Sequence, residues 1–173
     1  MANNAKTAAR PVPPAIDIRA ADLPDAEIIL EMIKRLAAAQ EASPRVHATI
    51  DHLRRDLFGA NKRVDALIAE RGGVPVGLAL FQELYSTWDA QSALMVNDLY
   101  VDEAVRGTGV GRALMKAIGR AAKTRGCGSV SLNVIHSNRN AAFFDQLGFR
   151  HQDDLLSYRL DANHLANIPE AKA

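Results

Sequence analysis

Apolar and polar positions follow two different periods along the chain, and the period changes several times between residues 16 and 160. A period of two predicts strands, whereas apolar residues spaced three and four apart predict helices. Strand patterns cover residues 16–19, 64–69, 74–84, 93–101, 129–135 and 155–160. With the helices, the order is strand, two helices, three strands, helix, strand, helix, strand. This order predicts a mixed α/β (α+β) layer with helices packed on a sheet.

The helices are recognised by their apolar stripes and by the residues that begin and end them. Asp22 is placed to cap the first helix, and the second covers about residues 48–58. The clearest stripe covers residues 110–121, with basic side chains on the opposite side. A short helix over residues 138–146 is followed by Gly148, a glycine of the kind that ends helices.

Composition narrows the class of protein. A chain of 173 residues is expected to form one domain, here residues 15–161, with tails at residues 1–14 and 162–173. There are 21 lysines and arginines and 20 aspartates and glutamates, so the net charge of +1 gives no reason to expect a nucleic acid or an anionic membrane as partner. No apolar run reaches the roughly 18 residues of a membrane span. A single cysteine, Cys127, fits a reducing, cytoplasmic location.

The segment after the strand that ends at Val101 carries the strongest chemical signal. It consists of Arg106, Gly107, Thr108, Gly109, Val110, Gly111 and Arg112, and it opens the amphipathic helix. Glycines let the backbone approach a ligand closely, and the first N–H groups of a helix have no partner within it. The helix dipole favours negative charge at the same end. This segment, the glycine loop, is therefore predicted to bind a diphosphate.

The spacing of the glycines gives less support to two other phosphate-binding motifs. A P-loop needs lysine and then serine or threonine after the glycines, but Gly111 is followed by Arg112 and Ala113. A dinucleotide fingerprint needs G-x-G-x-x-G, whereas these glycines are spaced G-x-G-x-G. A glycine-rich turn that binds nothing is the remaining alternative.

Residues 106–111 also match the acyl-CoA-binding motif R/Q-x-x-G-x-G/A, and the chain resembles the GNAT superfamily of N-acetyltransferases over about residues 16–160. A second stretch, residues 138–149, resembles the asparagine- and alanine-containing helix of that family, which ends in Leu-Gly-Phe. Residues 33–37, 56–59 and 85–88 are similar to landmarks of the diamine (spermidine/spermine) and thialysine acetyltransferases.

The resemblance implies a fold, a co-substrate and a set of binding residues. The fold would be a mixed, mostly antiparallel, splayed sheet of about six to seven strands with helices on both faces. Acetyl-CoA would be the acyl donor, no metal would be needed, and a homodimer is expected. The implied contacts of acetyl-CoA are Leu99, Tyr100 and Val101 with the pantetheine arm, the glycine loop with the diphosphate, and Asn138 and Phe144 beside the arm.

Two positions depart from the pattern of the family. Many members have a tyrosine that acts as general acid where this chain has Phe144, which has no proton to give, so Tyr85 and Tyr100 become alternatives. The diamine branch has a Glu-Asp pair on the central strand where this chain has Asn97 and Asp98. Fewer carboxylates would pair with a polycation, which makes a true polyamine substrate less expected.

Asn97 and Asp98 also stand out without the resemblance, because they interrupt an apolar strand. A buried carboxylate is costly unless it has partners or a task, so both residues are candidates for the catalytic site. The amine must lose a proton before it attacks, and Asp98 or a water chain could accept it, with His136 as another candidate base. The alternative is that Asp98 bonds to backbone at a strand bulge.

With these residues, the resemblance implies an N-acetyltransferase that moves an acetyl group from acetyl-CoA to a primary amine of a small molecule, such as an amino acid or a diamine. Direct attack in a ternary complex is expected, because no covalent nucleophile is evident. The alternatives are an enzyme that acts on protein N-termini or lysines, and an acyl-CoA-binding module without turnover.

Overall fold

A sheet of five strands organises the first of the two units into which the chain divides, residues 1–138. The strands are β1 (Ile16–Ala20), β2 (Asp65–Arg71), β3 (Val74–Ser86), β4 (Gln91–Val101) and β5 (Ser129–Leu132), and they lie in that order across the sheet. β1 to β4 pair antiparallel, and β5 pairs parallel with β4. The structure is a computed structural model that describes residues 14–135, 140–153 and 155–167.

Helices cover both faces of this sheet, as the resemblance implied. One face carries α1 (Ala26–Ala39) and α2 (Ile50–Phe58), and the other carries α3 (Val110–Thr124). The core under α1 and α2 includes Ile29, Leu30, Leu53, Leu57, Ile68, Leu78, Leu80 and Tyr100. The buried stripe of α3 consists of Val110, Leu114, Met115, Ile118 and Ala122, in agreement with the predicted apolar stripe.

Gly77 on β3 allows α3 to lie close to the sheet. A Cβ atom at this position would come within 3.0 Å of Val110 Cγ1 and 3.2 Å of Leu114 Cδ1. Both distances are shorter than ordinary packing contacts, so the close approach requires a glycine here. Because Gly77 pairs with Val101 of β4, this contact fixes the start of α3 beside the end of β4.

A β-bulge in β4 changes the face toward which its side chains point. Phe81 of β3 pairs with Val96, but the next residue, Leu80, pairs with Asp98, so Asn97 is the extra residue. Residues opposite each other on paired strands share a face of the sheet. Leu80 packs in the core under α1 and α2, so Asp98 faces that side, whereas Val96 faces α3 with Phe81.

Over the residues that the structure describes, the sheet has five strands, fewer than the six to seven that the resemblance implied. Residues 155–160, predicted to be a strand, have no strand structure, and Leu156 and Tyr158 are exposed. An alternating segment becomes a strand only where a neighbour supplies backbone partners. Within the described ranges, the only backbone hydrogen bond of this segment is local, from the Leu155 N–H to the Gln152 C=O.

The second unit, residues 139–173, contains α4 (Ala141–Asp145) and a turn of 3-10 helix over Ala162–Asn167. Gly148 has φ +88° and follows the helix as predicted, although α4 ends one residue earlier than expected. Residues 136–139, and with them the predicted start of this helix, lie outside the described residues. In the described part of the chain, no helix is long and apolar enough to cross a membrane.

Candidate active site

The glycine loop adopts a conformation that only glycine accepts easily at two positions. Gly107 has φ +75° and Gly109 has φ +96°, both in the left-handed region that disfavours side chains. Gly109 directly precedes α3, and residues 106–109 are exposed. The loop backbone is therefore accessible to a ligand at the N-terminus of the helix.

The start of α3 presents donors without internal partners. The first helical hydrogen bond runs from the Ala113 N–H to the Gly109 C=O at 2.9 Å. Over residues 14–135, no acceptor takes the N–H groups of Val110, Gly111 and Arg112. These donors lie at the positive end of a helix of 15 residues, so the chemistry of the site suits a diphosphate.

Arg106 folds back from the glycine loop toward the end of β4. Its Nε donates to the Val101 C=O at 3.2 Å, and its Nη1 lies 3.8 Å from Glu103 Oε1. Arg112 is exposed on the first turn of α3. The two arginines predicted to meet a phosphate thus stand at the two ends of the glycine loop, and Arg106 already has partners in the segment that precedes the loop.

The sheet opens between β4 and β5 next to the glycine loop. Pairing of the two strands covers residues 93–96 of β4, and no described residue pairs on that side with the rest of the strand. The Asp102 N–H donates to the Val76 C=O at 2.9 Å, and antiparallel bonding alternates along a strand. The N–H and C=O groups of Leu99 and the N–H group of Val101 therefore face the opening, where an extended ligand could bond to them, whereas the Val101 C=O already accepts from Arg106 Nε.

A cleft of about 450 Å³ lies on the other side of the bulge, toward α2. It is lined by His47, Ala48, His52, Leu53, Arg55, Asp56, Leu57, Val64, Leu80, Asn97 and Asp98. The two polar residues of β4 that the sequence singled out therefore share one cavity. Its volume is in the range of about 300–1,000 Å³ that small-molecule sites occupy.

Burial raises the pKa of Asp98, because a carboxylate is less stable away from water. The bulge considered as an alternative role for Asp98 is present. However, no donor in the described part of the chain forms a hydrogen bond with this carboxylate, so the bulge does not satisfy it. An unsatisfied carboxylate that lines a cleft is a candidate partner for an ammonium group.

Residues 30–149 match the Acetyltransferase (GNAT) family, which is more than half of the chain. The chain belongs to this family. The predicted membership of the GNAT superfamily and the predicted N-acetyltransferase activity are confirmed. Acetyl-CoA is the acyl donor that the members of this family use.

Relatives with curated names are similar over most of this GNAT chain. The thialysine N-epsilon-acetyltransferase of Sus scrofa is 33% identical over 142 residues, which cover 77% of this chain and 83% of the relative. That of Caenorhabditis elegans is 35% identical over 125 residues, covering 72% and 76%. A human spermidine/spermine N(1)-acetyltransferase-like protein 1 is 33% identical over 70% of this chain, but that match covers 18% of the human protein.

Solved structures support the GNAT fold. An integron cassette protein of V. cholerae has a TM-score of 0.73 at 20% identity and covers 88% of this chain and 98% of its own. A ribosomal-protein-alanine N-acetyltransferase of Brucella melitensis has a TM-score of 0.68 at 23% identity, covering 85% and 99%. At these identities the likeness concerns the fold alone.

Sequence analysis did not predict that residues of α2 line the cleft. Arg55 and Asp56 follow His52 by three and four residues, so each neighbours His52 on the surface of α2, and this spacing was the signal that could have found them. Arg55 holds Asp56 with two contacts of 2.9 and 2.7 Å. The Arg55 guanidinium lowers the pKa of Asp56, which keeps this carboxylate charged.

Three other predicted site residues come after residue 135 in the chain. Asn138 and His136 lie outside the described residues. Phe144 belongs to the second unit, where its ring makes edge contacts with Phe143 at 5.2 Å and Phe149 at 6.0 Å between centroids. The binding roles of Asn138 and Phe144 stay predictions.

The two tyrosines considered as general acids occupy different environments. Tyr100 is buried under α1, whereas Tyr85 is exposed on the hairpin between β3 and β4. Trp88 at the tip of that hairpin is 97% exposed. The described residues contain no group of three or more histidine, cysteine, aspartate or glutamate side chains that could hold a metal ion.

Proposed function

We propose that the chain transfers the acetyl group of acetyl-CoA to a primary amine of a small molecule by direct attack within a ternary complex. One observation carries the proposal: two adjacent residues of β4 border the two binding regions. Asp98 lines the cleft of about 450 Å³, and the next residue, Leu99, turns its backbone toward the opening beside β5. An amine in the cleft and a thioester along the opening would meet at these two residues.

The donor side would be formed by backbone groups. The N–H groups of Val110, Gly111 and Arg112 would bind the diphosphate at the start of α3. The Leu99 and Val101 backbone would bond to the pantetheine arm, in the manner of an added strand. A Leu99 N–H in the opening is also placed to donate to the oxygen that gains negative charge when the amine attacks the thioester carbonyl.

The acceptor side depends on Asp98. An alkylammonium has a pKa near 10, so the charged amine would first pair with the carboxylate, which needs a cationic partner. Burial that raises the pKa of Asp98 also makes it a stronger base, which favours transfer of the proton as the carbon–nitrogen bond forms. The leaving thiol has an ordinary pKa of about 8.5, so a thiolate can depart without an acid at Phe144.

The cleft favours a compact acceptor that carries charges of both signs. Arg55 and two histidines line it together with Asp56 and Asp98. A polyamine would need several carboxylates and would be repelled by Arg55, whereas an amino acid with a side-chain amine matches both signs of charge. The similarity to proteins named thialysine N-epsilon-acetyltransferase supports the same choice.

A screen of thiol release from acetyl-CoA tests this function. The panel compares lysine-like amino acids, spermidine, an aminoglycoside and a peptide that contains the same amine. We expect turnover with the free amino acid and little with the peptide. Faster acetylation of the peptide would favour a protein substrate, and CoA binding without thiol release from any amine would favour a binding module.

Asp98 variants locate the chemistry within this assay. Asp98→Asn should lower kcat more than tenfold while CoA affinity, measured by calorimetry, stays within twofold. Asp17→Asn is the matched control, because Asp17 is an exposed carboxylate on β1. Equal rates for Asp98→Asn and the wild type across pH would remove Asp98 from the mechanism.

A homodimer is a separate part of the proposal. The hairpin between β3 and β4 exposes the large apolar side chains of Leu84, Tyr85 and Trp88, and exposed apolar side chains are candidates for a contact with a second copy of the chain. Light scattering should give twice the chain mass of 18.7 kDa. A mass of one chain at micromolar concentration would refute the dimer.

A further inference from the structure

Arg71 lies outside the acyl-CoA motif but contacts the glycine loop. It is the last residue of β2, and its Nη2 donates to Thr108 Oγ1 at 3.1 Å. The Thr108 hydroxyl in turn donates to the Val105 C=O at 2.6 Å. This chain of two hydrogen bonds joins the end of β2 to the loop across 37 positions of sequence.

The charge of Arg71 has no counter-charge within residues 14–135, where none of the ion pairs includes it. Its Nε is shielded from solvent and has no hydrogen-bond partner among the described residues. Arg106, by comparison, bonds to the Val101 C=O and lies near Glu103. A guanidinium that has no counter-charge among the described residues and whose Nη2 end is exposed can pair with an anion beside it.

We propose that Arg71 binds the phosphate groups of acetyl-CoA together with the glycine loop and holds Thr108 in place for them. The inference rests on the proposed function, since it adds a residue to the donor side. A guanidinium has five N–H donors, and the contact with Thr108 uses one, so others remain for an anion. The geometry suits arginine, because lysine has no planar fork that could serve the hydroxyl and a phosphate together.

The position of Arg71 explains why a strand end contributes to this site. Arg71 pairs with Ile16 of β1, and the nearest atom to a Cβ built on Gly109 is Ile16 Cδ1 at 3.9 Å. The start of β1 and the end of β2 therefore lie beside the loop. A positive charge there adds to the field at the start of α3, where Val110 begins the helix.

Two acyl donors separate a role in phosphate binding from a structural role. Arg71→Ala should raise the KM for acetyl-CoA at least tenfold with kcat unchanged, because charge-assisted contacts with phosphate are strong. The same variant should leave kcat/KM for acetyl-pantetheine, which has no diphosphate, within twofold. Arg71→Lys should fall between Arg71→Ala and the wild type.

Calorimetry of CoA binding gives a readout that does not depend on turnover. We expect Arg71→Ala to weaken CoA binding at least tenfold and to reduce its dependence on salt. Thr108→Val, which replaces the hydroxyl with a methyl group, should weaken CoA binding less than Arg71→Ala does. Arg120→Ala is the matched control, because Arg120 is an exposed cation on the same helix that the loop opens.

Each outcome separates this inference from the proposed function. If the wild type does not bind CoA, the proposed function fails. If the wild type binds CoA and Arg71→Ala binds it equally well with the same salt dependence, Arg71 has no role in binding. Equal losses of acetyl-CoA and acetyl-pantetheine turnover, with a lower unfolding midpoint, would show that Arg71 only supports the fold.

Discussion

Leu80 of β3 pairs with Asp98 of β4, although the neighbouring pair of Phe81 with Val96 would place Leu80 opposite Asn97 in an unbroken register. Without the bulge, Asp98 would share the α3 face with Val96, because alternate residues of a strand point the same way. One extra residue therefore gives the cleft under α2 its carboxylate. Asp98 is partly buried there and has no hydrogen-bond donor among the described residues, and this burial raises its pKa.

The raised pKa of Asp98 predicts a stability that depends on pH. The unfolded carboxyl titrates near 3.9, so between that value and the raised folded value the native state holds more protons. Stability contributed by the protonated form is present below this window and is lost as the pH rises through it. We expect Asp98→Asn to raise the free energy of unfolding at pH 7, and to do so less at pH 4.

Urea unfolding of both proteins at several pH values measures this difference. Asp17→Asn serves again as the exposed control and should show no such trend. A difference between Asp98→Asn and the wild type that stays constant from pH 4 to pH 7 would contradict the prediction. A gain in stability together with a loss of turnover would mean that the carboxylate is kept for function at the expense of stability.

Most helices and strands could be predicted from the sequence, because the patterns that specify them are local. The stripe of α3 and the turn at Gly109 lie within a few residues of the positions that they specify. The cleft could not be predicted, because it depends on how α2 lies against the bulge. Arg71 was missed for the same reason, since its contact with Thr108 joins residues that lie 37 positions apart in the sequence and that only the folded chain brings together.

The missing sixth strand has a related cause. Residues 155–160 carry the alternating pattern of a strand, but the pattern does not supply a partner, and pairing is a property of two segments. The two polar residues within the apolar sequence of β4 did indicate that Asn97 and Asp98 are candidates for the functional site. The sequence did not show that the two side chains line the same cleft as His52 and Arg55.

Gly109 and Gly119 provide a matched test of the glycine loop. Gly109 has φ +96°, so Gly109→Ala should cost about 1–2 kcal/mol of stability or displace the loop. CoA affinity should fall with it, because the N–H groups at the start of α3 move. Gly119 is an exposed interior residue of the same helix with nothing within 4 Å of its Cβ position, so Gly119→Ala should stabilise the protein by about 0.5–1 kcal/mol.

Urea unfolding and calorimetry with CoA read the two effects separately. The prediction for the loop is wrong if Gly109→Ala and Gly119→Ala have the same CoA affinity. A larger side chain in Gly109→Val should weaken CoA binding further, since a branched residue tolerates a positive φ least.

Gly77 tests whether the closeness of α3 to the sheet supports the site. The Cβ of Gly77→Ala would meet Val110 Cγ1 at 3.0 Å and the Tyr100 C=O at 3.1 Å. We expect a loss of about 1–3 kcal/mol of stability, as for other overpacked cores, and a weaker CoA affinity, because Val110 begins α3.

A double-mutant cycle decides whether this contact is the cause. Val110→Ala removes the Cγ1 atom, so the cost of Gly77→Ala should be smaller in that background. Equal costs in both backgrounds would show that the Tyr100 carbonyl or Leu114, rather than Val110, limits the approach of the helix.

Arg19 joins β1, β2 and the turn before α1, and this cluster predicts acid sensitivity. Its guanidinium contacts Asp25 at 2.6 and 2.9 Å and Glu70 at 2.8 Å. The hydrogen bonds from Arg19 lower the pKa of Asp25. A lowered pKa means that the stability is present above the unfolded value of about 3.9 and is lost as the pH falls through the folded value.

Asp25→Asn should therefore destabilise the protein at pH 7 by about 1 kcal/mol, a modest figure because Arg19 is partly exposed and its pairs are screened by solvent. The difference from the wild type should shrink as the pH falls below 4. Urea unfolding at pH 7 and at pH 3.5 measures it, with Asp51→Asn on α2 as a control, since that carboxylate is exposed and 3.9 Å from Arg54. If the loss in Asp25→Asn is as large at pH 3.5 as at pH 7, the cause is the altered turn before α1 and not the charge on Asp25.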